Sequence, residues 1–327
     1  MALTQIDFSK TLTDDQIYNC LIKNYGHLGK EWTLHQWNWM NYVYAPFKDH
    51  TKYFVLISLI EKTLKFYDQV NIDYTFDEYY SKQQLHIEKF SITEICEKLS
   101  LPKETVRRKV LELEAIGILK RKKKQIVIDR SAFTMLNPNQ QLKVTARYIS
   151  LFAKQLPYKD IFAKSVYSRI LDVDIIENII KKNFSVCLMW FYKMQIPIML
   201  SYNKFFSDMI AFHIWGTVFM NQVFNHSKSD IISFNVSRLD YNKQILSEGK
   251  NSSGLSAMSI SDMTNIPRAT VIRKCKTLIE FKYLNTNKKK QFVMSGLKND
   301  EINPHQAEVF KLKAKFLRKM LNLIIIS

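Results

Sequence analysis

The sequence predicts a mainly α-helical protein made of two tandem copies of one unit, and three observations support this fold class. The chain has 327 residues but only 7 Gly and 7 Pro, too few for turn-rich all-β or low-complexity architectures. Hydrophobic residues make up 46% of the chain, enough for the cores of about two domains. A segment of the first half also recurs, in the same order, in the second half.

The repeat is clearest between residues 90–119 and 255–284, which align at a constant offset of 165. The identical pairs are Ser91/Ser256, Ile95/Ile260, Pro102/Pro267, Thr105/Thr270, Val106/Val271, Arg108/Arg273, Lys109/Lys274, Leu113/Leu278 and Leu119/Leu284. An offset of 159 pairs further residues upstream, among them Asp49 with Asp208. We therefore divide the chain into a first copy, residues 1–158, and a second copy, residues 159–327.

Each copy contains a pattern of two short helices followed by a β-hairpin. In the first copy Ser91 and Glu94 form a capping box at the start of one helix. Pro102 suits the first position of a second helix, which ends at Gly117. The apolar faces of the two helices contain Ile92, Ile95, Leu99, Val106, Val110 and Leu113.

The hairpin of the first copy is rich in positive charge. A short strand at Ile118–Leu119 is expected to lead into a charged loop at Lys120–Lys124, and a strand at Gln125–Asp129 to return. A trailing amphipathic helix is predicted after each hairpin, at 139–156 in the first copy and at 304–325 in the second.

The stretch 91–128, with the sequence LPKETVRRKVLELEAIGIL at its centre, resembles bacterial winged-helix transcription regulators of the MarR and GntR type. The second copy, with IPRATVIRKCKTLIEFKYL, is similar, but it has Lys282 where the first has Gly117 and a more polar first helix at Met258–Thr264. The resemblance implies two winged helix-turn-helix modules, at about 90–130 and 255–296. In such modules the second helix enters the major groove of DNA and the hairpin, or wing, lies along the backbone.

The distribution of positive charge along the chain supports DNA binding by these two modules. The chain carries 48 Lys and Arg against 30 Asp and Glu, a net charge of +18, which indicates a polyanionic partner. Residues 102–125 hold nine basic and three acidic residues, and residues 267–291 hold eight and one. Most of the net charge is therefore concentrated in the two modules.

We expect the DNA contacts to come from both second helices and both wings. Arginine binds guanine, threonine meets a thymine methyl group or a phosphate, and wing lysines neutralise phosphates. The predicted contacts are Lys103, Thr105, Arg107, Arg108, Lys109, Arg121, Lys122, Lys123, Lys124, Arg268, Thr270, Arg273, Lys274, Lys288, Lys289 and Lys290. For Arg108 a salt bridge to Glu104 or Glu112 is an alternative role. Because Arg107 aligns with Ile272, the two modules are expected to read different bases.

The remainder of each copy is apolar and aromatic. Tyr53, Leu56, Ile57 and Ile60 form one stripe, and Phe212, Trp215 and Phe219 form its counterpart. A hydrophobic core and interface is the favoured interpretation, with an effector pocket as the alternative. The trailing helices are expected to pack the two copies together as an intramolecular pseudo-dimer, and further pairing into a homodimer stays open.

The motifs of common enzymes are missing from the sequence. It has no Gly-rich phosphate loop, no His pair at helical zinc spacing and no Gly-x-Ser-x-Gly elbow, and its four cysteines lie far apart. We therefore predict no enzymatic activity, no catalytic residues, no cofactor and no metal. The apolar stretch 184–200 contains Lys193 and Pro197, which favours a core helix over a membrane span. A cytoplasmic, nucleoid-associated location without membrane contact follows.

The leading functional hypothesis is a sequence-specific regulator of transcription that binds double-stranded DNA. A plasmid-type replication initiator with two winged-helix domains is the first alternative. A nucleoid architectural protein that binds DNA without reading bases is the second, and a protein-interaction scaffold is the third. RNA polymerase and a small effector stay open as additional partners.

Overall fold

The computed structural model describes residues 11–87, 89–122, 125–130, 139–156, 164–228, 236–245, 253–295 and 299–327. Lys123, Lys124 and most of the polar segment 247–254 lie outside these residues. Over the described part the protein is mainly helical, as predicted, with fifteen helices and five short strands.

The first half contains seven helices and three strands. They are α1 (Asp14–Lys23), α2 (Tyr25–Phe47), α3 (His50–Gln69), α4 (Phe76–Ser81), β1 (Gln84–His86), α5 (Ile92–Leu99), α6 (Lys103–Ala115), β2 (Leu119–Lys122), β3 (Gln125–Asp129) and α7 (Asn139–Ala153).

The second half contains eight helices and two strands. They are α8 (Lys164–Leu171), α9 (Val173–Lys182), α10 (Phe184–Phe206), α11 (Met209–Lys228), α12 (Arg238–Ile245), α13 (Ala257–Thr264), α14 (Arg268–Glu280), β4 (Leu284–Thr286), β5 (Phe292–Met294) and α15 (Asn299–Ile326). The trailing helix of this half begins five residues before its predicted start and includes Pro304.

The caps of α5 and α6 follow the predicted pattern with one shift. The Ser91 hydroxyl accepts a hydrogen bond from the Glu94 backbone N–H at 3.1 Å, and the Glu94 carboxylate accepts one from the Ser91 N–H at 2.9 Å. Pro102 occupies the N-cap of α6 instead of its first helical position. Gly117 has a φ of 74°, which confirms the left-handed turn after the helix.

The first hairpin differs from the prediction in two ways. Strand β2 extends to Lys122, so Lys120, Arg121 and Lys122 lie in the strand instead of a loop. Strand β1 pairs with the other side of β3 and makes a three-stranded sheet in the order β1-β3-β2. The segment 84–86 is too short for its pattern to predict a strand, and its pairing partner lies some forty residues away in the sequence. The second hairpin contains β4 and β5 alone.

Contacts between the halves are extensive. Helix α10 packs on α3, and α11 packs on α2. Each trailing helix contacts a helix of the other half, since α15 packs on α1 and α7 packs on α9. Each trailing helix also packs on a long helix of its own half, α7 on α2 and α15 on α10. The apolar faces of the two halves therefore cover one another.

Helix α10 is the one described helix with the length and composition to cross a membrane, which is weak evidence because the core helices of soluble proteins pass the same test. Eleven of its residues are buried, and it packs on α3, α11 and α15. This packing agrees with the core helix predicted for residues 184–200. The stripe residues Tyr53, Leu56, Ile57 and Ile60 are also buried.

Candidate nucleic-acid interface

Helix α6 is held to α3 by a partly buried ion pair. The Lys109 ammonium lies 2.6 Å from the Asp49 carboxylate and 2.8 Å from that of Glu112, and the residue is only 9% exposed. Burial opposes the charge of Lys109, but the hydrogen bonds to Asp49 and Glu112 outweigh it and raise the pKa of the ammonium. Lys109 thus serves the packing of α6, and we remove it from the predicted DNA contacts.

The same ion pair occurs in the second half. The Lys274 ammonium pairs with the Asp208 carboxylate, and Lys274 is half-buried. Asp208 immediately precedes α11 and accepts a hydrogen bond from the Ile210 N–H at 2.8 Å, as an N-terminal cap does. Lys274 therefore also joins the packing residues instead of the predicted contacts. Its side chain anchors α14 to α11 as Lys109 anchors α6 to α3.

The outer face of α6 carries three exposed basic residues. Lys103, Arg107 and Arg108 are exposed, and Thr105 is half-buried. Of the two partners proposed for Arg108, the structure has Glu112, with 3.7 Å between the guanidinium and the carboxylate. The side chain of Arg108 remains 67% exposed, so this pair is solvent-screened and leaves the guanidinium accessible.

The outer face of α14 carries more unpaired charge. Arg268 and Arg273 are exposed, Thr270 is half-buried, and among the described residues no carboxylate pairs with either arginine. Lys276, which is not among the predicted contacts, is also exposed on this helix. Its spacing of three residues from Arg273 is the signal that places both side chains on one helical face.

The two β-hairpins, β2–β3 and β4–β5, differ in how their positive charge is neutralised. In the first, the Arg121 guanidinium pairs with Glu114 at 2.6 Å, and Lys122 donates to the side chain of Gln84. The predicted contacts Lys123 and Lys124 lie outside the described residues. In the second, Lys288, Lys289 and Lys290 are all exposed.

Side-chain hydrogen bonds fix the backbone at the tip of the second hairpin. The Asn287 side-chain oxygen accepts hydrogen bonds from the backbone N–H groups of Lys289 and Gln291, each at 3.0 Å. Lys290 takes a left-handed conformation with φ 57°. The turn therefore directs three consecutive lysines outward without a carboxylate partner among the described residues.

No protein-family model, curated protein or solved structure matches the chain. Among the described residues, no group of three or more His, Cys, Asp or Glu side chains is arranged to hold a metal ion.

Proposed function

We propose that the protein is a sequence-specific, double-stranded-DNA-binding regulator of transcription with two winged helix-turn-helix modules in one chain. The observation that carries the proposal is the shared arrangement of α6 and α14. In both helices an arginine, Arg108 or Arg273, is exposed, while the next residue, a lysine, anchors the helix through an aspartate. One face of each helix is thereby held in the protein and the other is free to enter a major groove.

The proposed duplication is supported by the lengths of corresponding helices. Helices α2 and α10 have 23 residues each, α3 and α11 have 20, and α6 and α14 have 13. The first two pairs are related by an offset of 159 and the third by 165.

Unusual backbone conformations recur at the same offsets. Positive φ angles occur at Lys48 and Ser207, at Ser100 and Asn265, and at Gly117 and Lys282. A non-glycine residue at positive φ is uncommon, so the recurrence of such turns supports one ancestral unit. Lys282 keeps the left-handed turn that Gly117 makes in the first half, although the side chain makes that conformation less favourable.

The pseudo-dimer is supported by contacts that a two-fold relationship would generate. The side-chain amides of Gln36 and Gln195, which are 159 residues apart, donate hydrogen bonds to each other. The contact of α7 with α9 corresponds to that of α15 with α1. In an isologous interface such contacts occur in equivalent pairs, and a single chain would then present two recognition helices, as two chains do in a symmetric dimer.

The two modules are not expected to bind DNA equally. In the first, the carboxylates of Glu112 and Glu114 neutralise part of the positive charge, whereas Arg268, Arg273 and Lys276 of the second have no such partner among the described residues. We therefore propose two related but non-identical half-sites, with the second module supplying the larger share of the affinity.

The proposal is tested by selecting bound sequences from a pool of randomised duplex DNA with the full chain. Enrichment of a motif with two spaced halves is the expected result. Strong binding with a steep salt dependence but no enriched motif would favour the architectural alternative. A lack of binding at low salt would overturn DNA binding altogether and favour the interaction scaffold.

A further inference from the structure

A cavity of about 80 Å³ lies among α2, α10, α11, α12 and α15. Its walls are largely aromatic and include Tyr25, Trp32, Phe212, Trp215 and Tyr241. A lysine, Lys313 of α15, also lines it. An apolar cavity of about 150 Å³ holds benzene, so this one, with about half that volume, accommodates a few water molecules or one organic molecule smaller than benzene.

Lys313 is buried without an anion. The residue is 1% exposed, and its ammonium lies 3.8 Å from the centre of the Trp32 ring and 4.4 Å from that of Phe310. No carboxylate pairs with it among the described residues. Cation–π contacts with two rings offset only part of the loss of hydration that a buried ammonium suffers.

A second cation lies close to the same rings. Arg238 of α12 is 8% exposed, and its guanidinium carbon is 5.4 Å from the centre of the Phe310 ring. One of its terminal nitrogens donates to the Gln306 side-chain oxygen at 3.0 Å, while its Nε has no hydrogen-bond partner among the described groups. Trp215 Nε1 and Tyr241 Oη, on residues that line the cavity, also lack partners.

The position of Lys313 distinguishes this cavity from a corresponding one in the other half. A cavity of about 110 Å³ is lined by Phe184, Phe191 and Tyr53, which align at an offset of 159 with Tyr25, Trp32 and Phe212. The larger cavity has Arg130 as its basic lining residue and contains no lysine among the described residues that line it. A buried lysine among aromatic walls is therefore a feature of the smaller cavity and not of the larger one.

We propose that the smaller cavity binds a small organic carboxylate, whose carboxylate group pairs with Lys313 and whose apolar end contacts the aromatic walls. Lys313, which has no acidic partner among the described residues, supplies the charge that a carboxylate requires, and the nearby Arg238 adds to the positive potential. The aromatic walls are poor substitutes for the strong hydration of inorganic phosphate, which favours a monoanion with an apolar end. At about half the volume that holds benzene, the cavity limits the ligand to about four non-hydrogen atoms, the size of acetate.

The charge state of Lys313 supplies a second signature of binding. Burial and the nearby Arg238 hold the pKa of Lys313 well below its ordinary value. The other titratable groups around the cavity are His35 and Tyr25 of α2, Tyr202 of α10, His213 of α11 and Tyr241 of α12. None of them carries a negative charge near neutral pH, because burial raises the pKa of all three tyrosines. A carboxylate beside the Lys313 amine favours its charged form, so binding is expected to be accompanied by net uptake of protons.

The test is calorimetric titration of the full chain with acetate, with acetamide as the uncharged isostere and inorganic phosphate as the second anion. We expect acetate to bind at least tenfold more tightly than either. Titration at neutral pH in two buffers of different ionisation enthalpy is expected to reveal net uptake of protons. Equal affinity for acetamide, tighter binding of phosphate or no detectable binding of acetate would overturn the proposal.

Two lysine variants test whether the carboxylate binds at Lys313. Lys313→Met preserves the volume and removes the buried amine, so the variant is expected to fold, to bind acetate at least tenfold more weakly and to take up no proton. Lys315→Met, an exposed lysine of the same helix, is the matched control and is expected to bind as the unmodified chain does. Unchanged binding in Lys313→Met would overturn the proposal. None of these measurements includes DNA, so their outcome is independent of the proposed regulatory function.

Discussion

The side-chain amides of Gln36 and Gln195 exchange two hydrogen bonds, of 3.1 and 2.8 Å, between the long helices α2 and α10. Gln195 is fully buried, so a partner that is lost is not replaced by water. Gln36→Leu should therefore lower the free energy of unfolding by about 1–3 kcal/mol because it leaves the Gln195 amide unsatisfied. The double variant Gln36→Leu/Gln195→Leu should recover most of that loss. Urea unfolding of the four proteins measures the coupling, and additive losses would contradict it.

The ion pair between Asp49 and Lys109 is expected to stabilise the first module. Asp49→Asn retains the N-cap of α3, where the side chain accepts a hydrogen bond from the Lys52 N–H, but leaves Lys109 without its main partner. We expect a loss of about 1–3 kcal/mol, less than for a fully buried pair because both groups retain some solvent contact. Asp208→Asn is the matched change in the second module. A stability unchanged within about 0.5 kcal/mol in both variants would remove this role.

The same pair predicts a loss of stability in acid. Burial tends to raise the pKa of Asp49, but hydrogen bonds from Lys109 and the Lys52 backbone outweigh it and lower the pKa below 3.8. Because the pKa of Asp49 is lower in the folded state, the ion pair adds to the free energy of unfolding above the ordinary pKa of Asp. This stabilisation is lost as the pH falls through the pKa of Asp49 in the folded state. In Asp49→Asn the unfolding free energy should therefore decline less steeply below about pH 4. Equal slopes for the variant and the unmodified chain would be inconsistent with this assignment.

The buried histidine His50 should also make the fold less stable in acid, and this loss should begin at a higher pH than the loss due to Asp49. Burial lowers the pKa of His50 to about 4, and neither ring nitrogen of His50 has a hydrogen-bond partner among the described groups. The unfolded chain takes up this proton near pH 6.5 and the folded chain does not, so stability should fall between about pH 6.5 and 4. His50→Leu should reduce that slope, as measured by thermal unfolding across the range. A slope that does not change would show that His50 is hydrated or charged when folded.

Two helical glycines should respond in opposite ways to the same change. At Gly216 of α11 an added Cβ meets no atom within 4 Å, so Gly216→Ala should stabilise the protein by about 0.5–1 kcal/mol through helix propensity. At Gly29 of α2 the Cβ would lie 2.7 Å from the ring of Tyr241, which is fixed in the core. Gly29→Ala should therefore be destabilising despite the same gain in propensity. Thermal unfolding of both variants is the measurement, and a stabilised Gly29→Ala would contradict the packing at Tyr241.

The proposed DNA readout predicts a difference between two arginines. Arg273→Ala should weaken binding to the selected DNA by about 1–3 kcal/mol and relax the preference at one base pair. Arg108→Ala should have the smaller effect because Glu112 already screens its guanidinium. Fluorescence anisotropy with the selected duplex measures both, with Lys315→Ala as the control. Unchanged affinity and unchanged preference in both variants would exclude these arginines from base recognition.

Local patterns in the sequence predicted the local structure well. The capping box at Ser91, the left-handed Gly117 and the core helix at Phe184 depend on neighbouring residues, and each has the predicted role. Strand β1 was not predicted, because its place in the sheet comes from pairing with β3 across some forty residues of sequence. The extension of β2 to Lys122 has the same origin, since pairing with Gln125 decides where that strand ends.

By itself the sequence determined the helical class, the repeated pattern and the exposure of Arg108 and Arg273, because periodicity and turn chemistry act over a few residues. Only the tertiary structure decided that Lys109 and Lys274 anchor their helices. They carry the same charge as the neighbouring basic residues but form ion pairs with Asp49 and Asp208. It also decided that Lys313 lies against the ring of Trp32, which belongs to the distant helix α2. Burial and ion pairing depend on which helices meet, and that depends on contacts between residues far apart in the chain.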